Sequence, residues 1–455
     1  LLAVALEERV GRRLATMELW EQPSVRALVA HALRDGLGGG RDERQVPLPL
    51  PAETTDFATW PELRALAGRR ADGAGDGLAS TFFRPHDGMG GRESVVDGET
   101  LLNFASYNYL GLGGHPDVLR AAHDAIARWG TSASASRLVS GERHVHRELE
   151  EALAAFTGVP AALAFVGGHA TNVTTIAHLL GPDDLVLCDA LLHNSAMVGA
   201  AQSGARQVLF PHNDWEALDT LLRRLRRRHR RALVIIEGVY SADGDIPDLA
   251  RFLEVKARHH ALLMVDEAHS LGVIGATGRG LAEHAGVDPM AVDIWMGTLS
   301  KTLASCGGYI AGRADLVEYL RYTAPGFVFS VGMTPANAAA ALAALQVLRD
   351  EPERVTTLRT LAAGFVASCR ARGIDVGASQ GSAIVPVIAG DAARALRLSA
   401  ALRARGVEAP PMLPPAVPEG QARVRFFVSA AHRDEDVARA VEALTEALAV
   451  VSAPA

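Results

Sequence analysis

Between residues 160 and 312, short apolar runs alternate with segments of helical periodicity. The runs are "AALAFVGG", "DLVLCD", "RQVLF", "ALVIIEG", "ALLMVDEAH", "VDIWMGT" and "GGYIAG". This alternation predicts an α/β fold with a mainly parallel central sheet covered by helices. In open sheets of this kind, ligands bind beyond the carboxyl ends of the strands. The polar residues of this region cluster at those ends. Helices are expected from 313 to about 372, followed by a smaller α+β segment with strands in "SAIVPVIAG" and "ARVRFFVSA". No internal repeat is visible.

The front of the chain is different. Leu1, Leu2, Val4, Ala5 and Val10 recur at helical spacing, and "SVRALVAHALRD" starts at Ser24, a good N-cap. Residues 35–80 are rich in Gly, Pro and charge and read as a linker with one short helix near Trp60 to Leu66. The predicted division is 1–36 helical, 37–80 linker, 81–135 an N-terminal segment of the main body, 136–345 a large domain and 346–455 a small C-terminal domain. The opening "LLAVALEERV" has no basic leader and no initiator Met, so the chain is expected to be cut from a longer one.

Composition narrows the function classes. The chain has 455 residues, enough for two or three domains, and its 49% hydrophobic content supports a sizeable core. Its net charge of −7 argues against nucleic-acid binding, which brings a basic excess. No apolar stretch reaches the ~18 residues of a membrane span. Cys188, Cys306 and Cys369 have no paired spacing, which fits a reducing cytoplasm. No His or Cys pair has a convincing zinc spacing.

Lys301 sits among small hydroxyl residues in "WMGTLSKTLASCGGYI", just after an apolar run. Burial lowers the pKa of a lysine, and a neutral amine can form a Schiff base with an aldehyde. "MVDEAHS" places Asp266 and His269 just past another strand. Each alone could be an ordinary strand-end polar group. Together, Lys301 and Asp266 make the pattern expected for pyridoxal phosphate: a Schiff-base lysine and an acidic partner for the pyridinium nitrogen. "FVGGHATN" ends a strand with Gly167 and Gly168 and opens a helix, where backbone amides can approach a phosphate. His169 falls at that helix start, where a surface role would serve equally.

"DALLHNS" carries Asp189 and His193, and a flat imidazole can lie over a pyridine ring. Ser241 and Thr298 are hydroxyl candidates for the cofactor's oxygen and phosphate, or turn and cap residues. "ARVRFFVSAAH" puts Arg423 and Arg425 on one face of a strand, as an exposed pair or as a fork for a substrate carboxylate. The arginine-rich run "RRLRRRHRR" reads as a solvated helix face, with docking of an acidic partner as the alternative.

These residues resemble a family. "NFASYNYLGLGGHPDV", "GTSASASRLVSGERHVHRELEEALAAFTG", "DALLHNS", "FPHNDWEALD", "IEGVYSADGDIPDL", "MVDEAHSLGVIGATGRG" and "GTLSKTLASCGGYIAG" occur in the order seen in α-oxoamine synthases. These are fold-type I pyridoxal phosphate enzymes that include serine palmitoyltransferase and 8-amino-7-oxononanoate synthase. The likeness covers about 81–450. It implies that Lys301 carries the Schiff base, Asp266 meets the ring nitrogen, His269 lies near the phenolic oxygen and His193 stacks on the ring. It also implies that Ser241, Thr298, Gly168 and His169 hold the cofactor and that Arg425 grips the amino acid's carboxylate. The segment "FVFSVGMTP", with Ser330, resembles the part that reaches in from the partner subunit of a homodimer.

There are departures from the pattern. Tyr107 stands where most relatives have Asn, although serine palmitoyltransferase shares "SYNYLG". His169 replaces an aromatic ring, and Val331 and Gly332 replace hydroxyl residues.

"LLAVALEERVGRRLATMELWEQPSVRALVAHAL" resembles the latter part of an acyl carrier domain, with the phosphopantetheine serine lying before Leu1. That implies a modular polyketide or fatty-acyl parent protein and a carrier-bound acyl thioester. The expected reaction is decarboxylative condensation of an amino acid with that thioester to give an α-amino ketone. The alternatives are an aminotransferase, or a non-catalytic partner subunit, against which Lys301 argues.

Overall fold

The computed structural model describes residues 52–74 and 81–452. The carrier-like segment read at 1–36 lies outside the described residues. The chain divides into two units, 1–69 and 70–455. Within the expected linker, a helix spans Pro61–Ala74, longer than the short one expected. Pro61 opens it and Glu62 lies in its first turn, both favourable at a helix start.

The main body begins with β1 (His86–Asp87), β2 (Glu93–Val96) and β3 (Glu99–Asn103), which pair antiparallel. All seven apolar runs form strands: β4 (Ala161–Phe165), β5 (Leu185–Asp189), β6 (Arg206–Phe210), β7 (Ala232–Glu237), β8 (Leu262–Asp266), β9 (Ile294–Thr298) and β10 (Gly308–Gly312). They form one sheet in the order β4-β10-β9-β8-β7-β5-β6. The pairs β6–β5, β5–β7, β7–β8 and β8–β9 are parallel, and β10 runs antiparallel to both neighbours. The sheet is mixed with mostly parallel strands. β5, β7, β9 and β10 are buried along their whole length, so helices cover both faces.

Helices Ala314–Thr323, Pro335–Asp350 and Glu353–Ala371 follow. The C-terminal part adds β11 (Ile384–Gly390), β12 (Val407–Glu408), β13 (Pro411–Met412) and β14 (Ala422–Phe427). β11, β14 and β13 form a small antiparallel sheet, while β12 pairs with β3. Backbone bonds from Phe427 N to Phe104 O (2.9 Å) and from Ala430 N to Tyr109 O (2.7 Å) fasten the segment around Tyr107 beside β14.

The arginine run is not one helix face. The helix Trp215–Leu225 ends within it, and Arg230 and Arg231 both reach the buried carboxylate of Asp184 at 3.0 and 3.1 Å. A buried carboxylate needs such partners, which explains why those two arginines turn back onto the fold.

Candidate active site

Glu237, Asp266 and Thr298 are the last residues of three adjacent strands. The register sets Glu237 beside Asp266. Asp266 is buried and held on both oxygens. Oδ2 accepts from Asn172 Nδ2 at 2.8 Å, and Oδ1 accepts from the backbone of Ala268 at 2.9 Å. The second proton of that Asn172 amide goes to Ser195 Oγ at 2.9 Å. The carboxylate is therefore aimed by a fixed amide.

Lys301 is not on a strand. β9 ends at Thr298, whose Oγ1 donates to Gly307 O at 3.0 Å and accepts from Ser300 N at 3.2 Å. Those bonds close a turn, and Lys301 projects from it. Its Nζ lies 2.7 Å from His269 Nε2 and 5.5 Å from the centre of the Tyr107 ring. Burial lowers its pKa to about 8, against the pull of Asp266 and Glu237. His269 is buried, and burial together with the Lys301 charge holds it well below the usual range. Its Nδ1 lies 2.7 Å from the hydroxyl of Tyr109. A neutral imidazole thus bridges a phenol and an amine.

His193 caps the helix Asn194–Gln202. Its Nδ1 accepts from Ser195 N at 3.2 Å and sits 2.7 Å from Ser195 Oγ. A backbone N–H can only donate, so Nδ1 is the acceptor and a neutral ring carries its proton on Nε2. Burial lowers the pKa of His193, opposed by Asp266. Asp266, Asn172, Ser195 and His193 form one continuous hydrogen-bonded relay.

β14 decides between the two arginines. Arg423 is buried and committed: it bonds Asp243, Ala242 O and Gln421 O. Arg425 lies against the Phe427 ring at 4.5 Å, and its Nη1 donates to Ser241 O at 2.6 Å. Its Nη2 is 3.5 Å from the Tyr107 hydroxyl, and its buried Nε has no partner. Arg425 therefore keeps donors for an anion.

On the other side, Gly168 opens the helix Gly168–Leu179, with His169 exposed as its second residue. A Cβ on Gly168 would stand 2.9 Å from Thr298 Oγ1, and one on Gly308 would stand 2.8 Å from Gly168 Cα. Glycine is what lets the helix start approach Thr298 this closely, with its N–H groups free to face an anion. Ser330 stands elsewhere within a single chain. It borders a small cleft with Arg137, Gly326, Phe327 and Met333, and its Oγ donates to Val331 O at 3.2 Å.

The sequence and the fold have counterparts among known proteins. The family model for aminotransferase class I and II matches residues 99–444. The chain belongs to that family. It is 42% identical over 366 residues to a putative 8-amino-7-oxononanoate synthase of Gloeobacter violaceus, covering 80% of this chain and 92% of that protein. The 8-amino-7-oxononanoate synthase of Geobacter metallireducens is 44% identical over 361 residues, covering 78% and 90%. The fold matches a serine palmitoyltransferase from S. paucimobilis solved with a PLP–myriocin aldimine, with TM-score 0.83, 30% identity and coverage of 87% and 99%. Sphingomonas wittichii serine palmitoyltransferase gives TM-score 0.82 with the same identity and coverage. The chain has the fold-type I architecture of these proteins.

In this member of the aminotransferase class I and II family, the structure also brings to the candidate site residues that the sequence did not single out. Tyr109 lies inside a motif already singled out, yet nothing in the letters pairs it with His269. Asn172 is one helical turn past Gly168, where periodicity predicts only packing. Glu237 ends a buried apolar run as Asp266 does, and that shared signal could have found it.

Proposed function

We propose that the chain is a pyridoxal phosphate-dependent acyltransferase of the α-oxoamine synthase type. It joins an amino acid to an acyl thioester with loss of carbon dioxide, giving an α-amino ketone and a free thiol. The observation that carries this reading is Lys301. Its amine has a lowered pKa and stands 2.7 Å from a neutral histidine, close to the carboxylate of Asp266 and the uncommitted donors of Arg425.

The residues fit the cofactor. Pyridoxal phosphate, when bound, supplies an electron-accepting ring that stabilises negative charge on the amino acid's α-carbon. Asp266 would hold the ring nitrogen, aimed by Asn172. His193 would lie on the ring face, and His269 with Tyr109 would meet the phenolic oxygen. Gly168, His169, Thr298 and Ser241 would hold the remainder, with Ser330 entering from a second subunit. Lys301, which with a pKa lowered to about 8 has a substantial neutral fraction near that pH, takes the α-proton as a general base, a role typically worth ~10²–10⁴-fold. Arg425 and Tyr107 fix the substrate carboxylate until it departs as carbon dioxide.

A homodimer is supported by the exposed apolar residues Leu138, Val139, Phe329 and Val331. The two segments are tied by Gly332 N to Ala135 O at 2.9 Å. Three free cysteines suit a reducing cytoplasm. The carrier-like residues 1–36 favour a carrier-bound thioester, so the enzyme would release or modify a polyketide or fatty acyl chain.

The test is a panel of amino acids labelled in the carboxylate, each incubated with no thioester, an acyl-coenzyme A or an acyl-pantetheine carrier. Release of labelled carbon dioxide only when thioester is present is expected. Keto acid without carbon dioxide would make the protein an aminotransferase.

A further inference from the structure

Glu237 is a buried carboxyl set next to another carboxyl, Asp266. Burial and then the Asp266 charge push it up to about 8. Such a group is costly to keep inside a protein unless it satisfies other groups. Its two oxygens do so on two different loops. Oε1 accepts the backbone N–H of His193 at 2.6 Å, and Oε2 accepts that of Ser241 at 3.1 Å.

Those loops carry the two halves of the site. His193 presents the imidazole. Ser241 presents its carbonyl to Arg425 Nη1 at 2.6 Å. A short chain of bonds thus runs from His193 through Glu237 and the Ser241 peptide to the guanidinium. The backbone just past Glu237 is held as well. Gly238 N donates to Asp266 O at 2.8 Å, and a Cβ there would stand 2.3 Å from Ser270 Oγ. Beyond Asp266, the charged and titratable groups that interact with it include Lys301 and the phenol of Tyr240.

We propose that Glu237 is a positioning residue that fixes the separation of His193 and Arg425, and so registers the cofactor ring against the substrate carboxylate. This rests on the proposed function. Glutamine cannot replace it, because its amide nitrogen would face one of the two N–H groups. Aspartate is one methylene too short to reach both.

The experiment compares wild type, Glu237→Gln and Glu237→Asp as holoenzymes. It reads the circular dichroism of the bound pyridoxal phosphate, KM for the amino acid against KM for the thioester, and the melting midpoint. Both variants are expected to hold the cofactor with an altered dichroic band. The amino-acid KM should rise about tenfold, as for loss of one positioning hydrogen bond, with the thioester KM unchanged. A wild-type band and wild-type KM overturn the proposal, even if the variant melts earlier. Should Glu237→Gln fail to fold, the aspartate variant decides on the same readings. If wild type itself turns over no amino acid, the proposed function fails, while the dichroic comparison still judges Glu237.

Discussion

The Nζ of Lys301 lies 2.7 Å from Nε2 of His269. The far nitrogen of that imidazole meets Tyr109 at 2.7 Å, so the ring cannot turn away without losing a bond. The amine is thereby held at the end of the sheet where Asp266 and Glu237 emerge.

On the proposed mechanism, Lys301→Ala removes both the nucleophile and the base. Turnover should fall by at least ~10²-fold, the low end for a general base, while the melting curve stays cooperative. Steady-state assay beside a thermal melt checks this. Wild-type turnover in the alanine variant contradicts the assignment.

Arg425→Lys keeps the charge and loses the planar fork. On the proposed reading the substrate carboxylate then loses its paired donors, and the amino-acid KM should rise about 10- to 100-fold, with a smaller change in kcat. Arg423→Lys should behave differently, because Arg423 is spent on Asp243, and its cost should appear as lost stability.

His212 supplies a pH signature. Its Nδ1 lies 2.8 Å from Asp189 and its Nε2 2.9 Å from Asp245. Burial opposes its charge, but the two carboxylates win and raise its pKa from 6.5 to about 10. A raised folded pKa means the stabilisation is complete below about 6.5 and is lost as pH rises through about 10. The difference in denaturant stability between wild type and His212→Gln should shrink across that window. A difference that does not change with pH contradicts this.

Arg137 is buried between Glu142 and Glu150, with N–O distances of 2.5 Å to each. Arg137→Met takes the buried guanidinium from both carboxylates, but Glu150 keeps Arg321 at 2.8 Å and Glu142 keeps Arg147 at 3.3 Å, so the cost should lie toward the low end of the about 3–5 kcal/mol for breaking a buried pair. Urea unfolding should show a loss of that order.

Much of this was legible in the letters, for physical reasons. A strand buried on both faces must be largely apolar, as β5, β7, β9 and β10 are, and all seven apolar runs became strands. The direction of β10 was not legible, because a buried strand reads alike in either direction. Asp266, His193, His269 and Lys301 stand out in the letters because each breaks an apolar or turn pattern, whereas only the family resemblance singles out Arg425 from Arg423 there. Tyr109 and Asn172 break none, since their roles depend on which partner the fold brings to them. The arginine run misled because composition shows charge but not the buried Asp184 that two of its members serve. Ser330 is read from resemblance alone, since one chain does not bring it to Lys301.

The most direct test of the central claim is the fate of the amino acid's own atoms. An amino acid labelled with nitrogen-15 and with carbon-13 at the α-carbon and carboxylate would be incubated with enzyme and acyl thioester, and the products weighed by mass spectrometry. The account predicts an α-amino ketone that keeps the nitrogen and the α-carbon label and has lost the carboxylate label as carbon dioxide. A keto acid that keeps both carbon labels and has lost the nitrogen would contradict it.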